Sequence, residues 1–238
     1  MTRRPHAVVT GASRGFGLAV TEAFENAGWR VTVVCRTPPP PNADRAVVIG
    51  DVTDPATATA LAAVIGDDPL DLVVNNAGVS GGSPTLGAVR TEDVNTSFAT
   101  NVTGPMYIVR ECRPALQAAG GGLVVNVSSR LASLTRQAAD DYHQAVRQTS
   151  YAYRITKAAQ NMLTIALAQE LAVDAIAVWA LHPGTLKTRL GTERADTPPD
   201  LAATDLVERV TRRDPTDMRP RFISLDERET DAGDDLPW

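Results

Sequence analysis

Tyr153 and Lys157 stand four residues apart in Tyr-Arg-Ile-Thr-Lys, a spacing that projects both from one face of a helix about a turn apart. A free phenol has a pKa of about 10 and exchanges protons poorly at neutral pH, whereas an ammonium held beside it favours the phenolate and lowers that value. The pair is a candidate proton donor with its tuner. Tyr142 and Tyr151 lack such a partner, since Val146 and Ile155 stand four residues after them. Far upstream, Thr10-Gly11-Ala12-Ser13-Arg14-Gly15-Phe16-Gly17 follows an aliphatic run and opens a helical pattern of Leu18, Val20, Phe24 and Ala27, with Gly28 placed to cap it. Small residues there let backbone N–H groups approach a pyrophosphate, and the helix N-terminus favours its negative charge. Each feature alone has an ordinary explanation: tight turns use glycine for purely structural reasons, and Tyr and Lys also meet at this spacing on solvated helix faces.

The elements that must position these groups read as short aliphatic runs alternating with longer helical stretches. Candidate strands cover residues 7–10, 30–35, 46–49, 70–75, 123–128 and 175–181. Continuous Val, Ile and Leu, rather than alternation with polar residues, is what parallel strands covered on both faces require. The expected fold class is α/β, a doubly wound parallel-sheet Rossmann fold in three α/β/α layers, formed as one domain over residues 1–238. Residues 38–41 are four prolines in a stiff loop, and 130–150 read as a long polar loop before the Tyr-Lys helix. Residues 201–211 read as a helix, 221–225 as a last strand and 231–238 as a mobile end. The helix over 153–172 is apolar on more than one side, with Ile155, Ala158, Ala159, Met162, Leu163, Ile165, Ala166 and Leu167. All-round burial of that kind points to a homo-oligomer, a dimer, unless the loop after Gly191 covers the outer side.

Composition narrows the function classes. The chain has 43% hydrophobic and 21% charged residues and a net charge of -5, so the basic footprint of a nucleic-acid partner is missing. No apolar run approaches the roughly 20 residues that span a bilayer, and the start runs into a strand pattern without a signal-peptide core, so a cytoplasmic protein with no membrane partner is expected. Cys35 and Cys112 lack metal-ligand spacing and read as packing residues, with no metal site expected.

Thr10 to Gly17, Asn75-Asn76-Ala77-Gly78, Asn126-Val127-Ser128-Ser129, Tyr153 to Lys157 and Pro183-Gly184 occur in the order seen in the short-chain dehydrogenase/reductase family, which the chain resembles from residue 6 to about 190. Val-Ser-Ser-Arg-Leu-Ala-Ser, Tyr-Ala-Tyr-Arg-Ile-Thr-Lys-Ala-Ala and Leu-His-Pro-Gly-Thr-Leu-Lys-Thr are most similar to C-factor and sniffer-type carbonyl reductases. The glycine spacing Gly-x-x-x-Gly-x-Gly fits that family rather than the commoner Gly-x-Gly-x-x-Gly turn. The resemblance implies a nicotinamide dinucleotide held by Gly11, Ser13, Arg14, Gly15, Phe16 and Gly17 at its phosphates, with Asp51 and Val52 at the adenine. It further implies that Asn75, Ala77 and Gly78 border the cofactor and that, after Pro183 and Gly184, which also bind it, Thr185 and Thr188 reach its carboxamide and phosphates. Dinucleotide enzymes of this architecture separate NAD from NADP at the end of the second strand, by a carboxylate for the ribose hydroxyl or an Arg for the 2'-phosphate. Here Cys35-Arg36 supplies no carboxylate. Arg14 and Arg36, each unremarkable as a surface residue, together favour NADP(H) over NAD(H).

Hydride transfer to a carbonyl builds negative charge on its oxygen, so catalysis needs a proton donor and hydrogen bonds aimed at that oxygen. By resemblance Tyr153 donates the proton, and Ser129, rather than its neighbour Ser128, orients the carbonyl. Lys157 tunes Tyr153 and binds the nicotinamide ribose, and Asn101 holds a proton-relay water. His182 reads as a packed or hydrogen-bonded histidine and His143 as a surface one. Ser129 and Tyr153 are 24 positions apart, longer than usual in the family, so residues 138–148 should bulge beside the site. Asp140, Asp141, Tyr142 and Arg147 make that segment polar, to select substrate, to act as a lid, or as surface decoration. The expected activity is NADPH-dependent reduction of an aldehyde or ketone to an alcohol, reversible. The alternatives are a 3-oxoacyl thioester or polyketide ketoreductase and a non-catalytic NADPH-binding regulator, which needs no proton donor.

Overall fold

The computed structural model describes residues 3–142, 148–188, 195–226, 228 and 235–238; His143, Arg147 and Gly191 lie outside them. The strands are β1 (His6–Thr10), β2 (Arg30–Cys35), β3 (Ala46–Ile49), β4 (Leu72–Asn75), β5 (Leu123–Val127), β6 (Ala177–His182) and β7 (Arg221–Ser224). The helices are α1 (Gly15–Asn26), α2 (Pro55–Ile65), α3 (Thr91–Phe98), α4 (Gly104–Ala118), α5 (Leu134–Ala138), α6 (Tyr151–Leu171) and α7 (Pro199–Arg212). All strands pair in parallel in the order β3-β2-β1-β4-β5-β6-β7. The order reverses between β1 and β4, and a doubly wound sheet binds ligands at the carboxyl ends of its strands beside such a reversal.

Each sheet face has its own apolar layer. On one side Phe16, Val20 and Phe24 of α1 join Ala203, Leu206 and Val210 of α7 over Val9, Val33, Val125 and Leu181. On the other, Leu61 and Ile65 of α2, Ile108, Cys112 and Leu116 of α4 and Ala168 and Leu171 of α6 cover Val8, Val73, Val124 and Val178. Both cysteines are buried, and burial pushes both thiols up, Cys112 to about 12. Gly28 follows α1 as expected: its N–H donates to Glu25 O and that of Trp29 to Phe24 O, while Phe24 and Trp29 meet edge to face at 5.0 Å. No helix among the described residues is long and apolar enough to cross a membrane.

Two sequence expectations need correction. Residues 130–150 are not a plain loop, because a 3₁₀ turn, Arg130–Ala132, and α5 occupy the first part, with Ser133 capping α5 through the N–H of Arg136. The end of the chain is docked rather than mobile at residues 235–238. Leu236 is buried, Trp238 stacks on Phe222 at 5.6 Å, and Trp238 O accepts from Thr135 Oγ1 at 2.7 Å. An apolar and aromatic tail has surface to bury, which overrides the usual freedom of a terminus.

Candidate active site

Two strand ends meet at the phosphate turn. Thr10 Oγ1, closing β1, accepts from the N–H groups of Asn76 and Ala77 at 3.1 and 3.0 Å, and Asn76 Nδ2 donates back to Thr10 O and Gly11 O at 2.8 and 3.2 Å. This stitching leaves no space for side chains. Gly11 has φ +68 and a Cβ there would stand 2.8 Å from Ala77 Cα; a Cβ on Gly17 would stand 2.5 Å from Gly11 O and closer still to Asn76 Nδ2. Arg14 is extended and exposed just before α1, whose first N–H groups have no acceptor within their own helix. Across the turn, Thr188 Cγ2 lies 3.6 Å from the Cβ position of Gly15. A tight, N–H-lined cradle facing a threonine fits a pyrophosphate.

Around this cradle the expected cofactor residues divide by which part of them faces the cleft. The Phe16 side chain is in the core, and Val52 packs against Gly104 of α4. Asn75 points into the sheet, donating to Asn126 Oδ1 at 2.9 Å, and Asn126 Nδ2 in turn donates to Thr164 Oγ1 at 3.0 Å. Arg36 Nη1 approaches Asp51 Oδ2 at 3.7 Å, and the same carboxylate accepts from Thr53 N and Oγ1. Pro183 and Gly184 are buried behind β6, and Thr185 O accepts from the N–H groups of Asp196 and Thr197 at 3.2 Å each.

The four expected catalytic side chains converge where β4 and β5 end. Ser150 caps α6, its Oγ accepting from Tyr153 N at 3.1 Å, which fixes the first turn that carries the phenol. Ser129, two residues past β5, sits beside the Tyr153 phenol and opposes the rise in its pKa, and its Oγ accepts from Leu131 N at 3.2 Å. Ser128 turns the other way and donates to Asn161 Oδ1 at 2.7 Å, as alternation along the strand requires. Asn101 sits in a π turn, Ala99–Thr103, between α3 and α4; its Oδ1 accepts from Val79 N and its Nδ2 donates to Val79 O and Thr156 Oγ1. A mid-helix asparagine there is neither exposed nor back-bonded.

Lys157 is 4% exposed and donates to Val127 O at 2.6 Å and to Gln160 Oε1 at 2.9 Å, with Nζ 5.8 Å from the Tyr153 ring centre. The expected lowering of the Tyr153 pKa by Lys157 is not what this arrangement gives. Burial raises Tyr153 and Ser129 only opposes that rise, while burial lowers Lys157 to about 7. The ammonium is committed to a carbonyl and an amide rather than to the phenol.

Tyr142 is buried under Arg130, 5.2 Å from its ring centre, and the half-buried Tyr151 lies under Arg154 at 4.8 Å. His182 is packed with neither ring nitrogen hydrogen-bonded, and burial with the nearby Arg130 lowers it to about 3. Sequence reasoning passed over Asn76, Ser150, Thr156 and Gln160. A serine just before a helix and a Gln three residues after the lysine are legible signals; Asn76 and Thr156 work across chain distances that local pattern does not carry.

A family model described as short chain dehydrogenase matches residues 5–199. The C-signal protein of Myxococcus xanthus is 33% identical over 130 residues, 55% of this chain and 74% of that one. Among solved structures, an NADPH-bound carbonyl reductase from chicken fatty liver superposes with a TM-score of 0.82 at 26% identity, covering 100% of both chains. The carbonyl reductase Sniffer of D. melanogaster superposes at 0.84 over 99% of this chain and 100% of that one, and at 24% identity it speaks to the fold alone.

Proposed function

Because the chain belongs to the short-chain dehydrogenase family, whose members are NAD(P)-dependent oxidoreductases acting between CH–OH and C=O groups, we propose that it reduces an aldehyde or ketone with NADPH, reversibly. The observation that carries this reading is the Tyr153 phenol set beside Ser129 and a buried lysine, at the sheet end where the glycine cradle lies. A bound nicotinamide supplies the hydride. The cradle of Gly11, Gly15 and Gly17 would hold its phosphates through backbone N–H groups, with Arg14 and Arg36 toward a 2'-phosphate and Asp51 at the adenine side. Arg36 would then exchange its long contact with Asp51, 3.7 Å and exposed on both sides, for the phosphate. The chain's own chemistry is proton delivery: Ser129 orients the carbonyl oxygen and Tyr153 gives it a proton, with Lys157 and Asn101 in the polar interior behind them.

The test is NADPH oxidation over a panel of aldehydes, ketones and acyl thioesters by the wild type and Tyr153→Phe. Turnover should fall by about 10²–10⁴-fold with NADPH affinity retained; wild-type turnover in the variant would overturn the mechanism. With NADH in place of NADPH, kcat/KM should drop, and equal efficiency would sink the roles of Arg14 and Arg36.

We also propose a homodimer through the outer face of α6. Ile155 and Met162 there are 47% and 56% exposed, and no described residue covers them. Single-chain burial is therefore one-sided, against the all-round burial expected from the sequence, and a second copy supplies the missing cover.

A further inference from the structure

We propose that Gln160 is a positioning residue of this proton-delivery site: its Oε1 fixes the direction of the Lys157 ammonium and favours the ammonium over the neutral amine. The inference rests on the proposed role of Lys157. Gln160 lies three residues after Lys157 on the inward face of α6 and is 0% exposed. Its Oε1 accepts from Nζ at 2.9 Å, and Val127 O accepts a second N–H at 2.6 Å. Val127 O is available because β4 ends at Asn75, opposite Asn126, so on that side the carbonyl has no strand neighbour. With two of its three N–H bonds anchored by β5 and by its own helix, the ammonium has one left to point toward the cleft.

The amide can only face this way. Turned over, Gln160 would set its NH₂ against an ammonium, donor against donor. Held in this orientation, its Nε2 is buried without a hydrogen-bond partner, as is Asn161 Nδ2 one residue on. A buried, unpaired amide donor is a cost that an aliphatic side chain at 160 would avoid, and the bond to Lys157 is the interaction that offsets it.

The surroundings make this acceptor matter. Among the described residues no charged side chain faces Nζ: β5 presents the Val127 carbonyl, the turn after β4 presents Gly78 at 3.7 Å from its Cβ position to Nζ, the π turn presents the neutral Asn101, and α6 itself presents Tyr153 as the one titratable neighbour. Burial alone shifts Lys157, down to about 7, and nothing ionic opposes it. Neutral acceptors such as Gln160 Oε1 and Val127 O are what hold the charge.

The sequence contains two lysines, Lys157 and Lys187, and Lys187 is exposed. Nuclear magnetic resonance of protein labelled only in lysine side chains therefore reads Lys157 directly, without cofactor or turnover. In Gln160→Leu the Lys157 titration midpoint should fall by about one pH unit, and in Gln160→Glu it should rise by a similar amount, with Lys187 unmoved. Gln160→Met, of the same length and unbranched, serves as a second acceptor-free variant if the leucine disturbs folding. The pH limb of carbonyl reduction that reports Lys157 should move in the same two directions, while a purely structural role would lower activity without moving it. An unchanged midpoint, or a shift of the same sign in the Leu and Glu variants, overturns the proposal. Opposite shifts in protein that reduces no carbonyl would leave Gln160 in place and overturn the reductase reading instead.

Discussion

Gly17 stands where the turn after β1 meets the turn after β4, with Gly11 O 2.5 Å from any Cβ it might carry. Neither neighbour yields easily: one is backbone, and Asn76 Nδ2 is already held by Thr10 O and Gly11 O. Gly17→Ala should therefore cost about 1–3 kcal/mol of stability and weaken NADPH binding as the cradle spreads. Thermal unfolding and a fluorescence titration with NADPH measure both, and a variant that matches the wild type in the two would show that the turn absorbs a methyl. At this scale the sequence was read well where a residue type is chemically forced and less well where direction matters. Tyr153, Ser129, Lys157 and Asn101 come together as the motif order implied. Asn75 and Asn76, by contrast, are identical letters with opposite duties, one turned into the sheet and one tying two turns together. Strand alternation separates them, but only once the strand's end is known.

Helix α6 departs from the usual amphipathic arrangement between Ile155 and Thr164, before Ala168 and Leu171 return to the apolar layer. Its inward face carries Thr156, Lys157, Gln160, Asn161 and Thr164, and Ile155 and Met162 look outward. The apolar letters along 153–172 were visible, but a sequence cannot say that the polar ones face in, because buried amides and hydroxyls are the exception unless a network receives them. Here the network exists, running from Asn75 through Asn126 to Thr164 and from Thr156 to Asn101. Strand positions were easier, since unbroken aliphatic runs have few other places to go; β1 to β6 lie within two residues of where the runs put them. If the outward stripe seats a second copy, Ile155→Glu with Met162→Glu should convert a dimer into a monomer in sedimentation at micromolar concentration, with circular dichroism unchanged. A wild type that sediments only as monomer would remove the proposed dimer.

Among the described residues of the whole molecule, His6 and His182 are folded in the neutral form. His6 is held at about 4 by burial and by Arg30, and His182 at about 3 by burial and by Arg130. Unfolding returns each to an ordinary value near 6.5, so below that pH the unfolded chain binds protons the folded one refuses. Stability is then complete above about pH 6.5 and is lost as pH falls, levelling off near pH 4 for His6 and near pH 3 for His182. Between pH 7 and 5 each histidine should cost about 2 kcal/mol. Denaturant midpoints at the two pH values check this, and His182→Phe should recover roughly half of the loss; equal losses in both proteins would contradict it.

The wide turn at Ala99–Thr103 also bears on descent. A π turn holds one residue more than an α turn, so α3 and α4 amount to one helix with a single-residue insertion. Deleting a residue there would close the helix and rotate one half against the other by about 100°, carrying Asn101 away from Val79 and Thr156 while the sheet and its layers stand. Such a variant should keep its circular dichroism and lose turnover. On the proposed role of Asn101, one codon would separate a working oxidoreductase from a silent variant of the same shape, marked by an unbroken helix at this point.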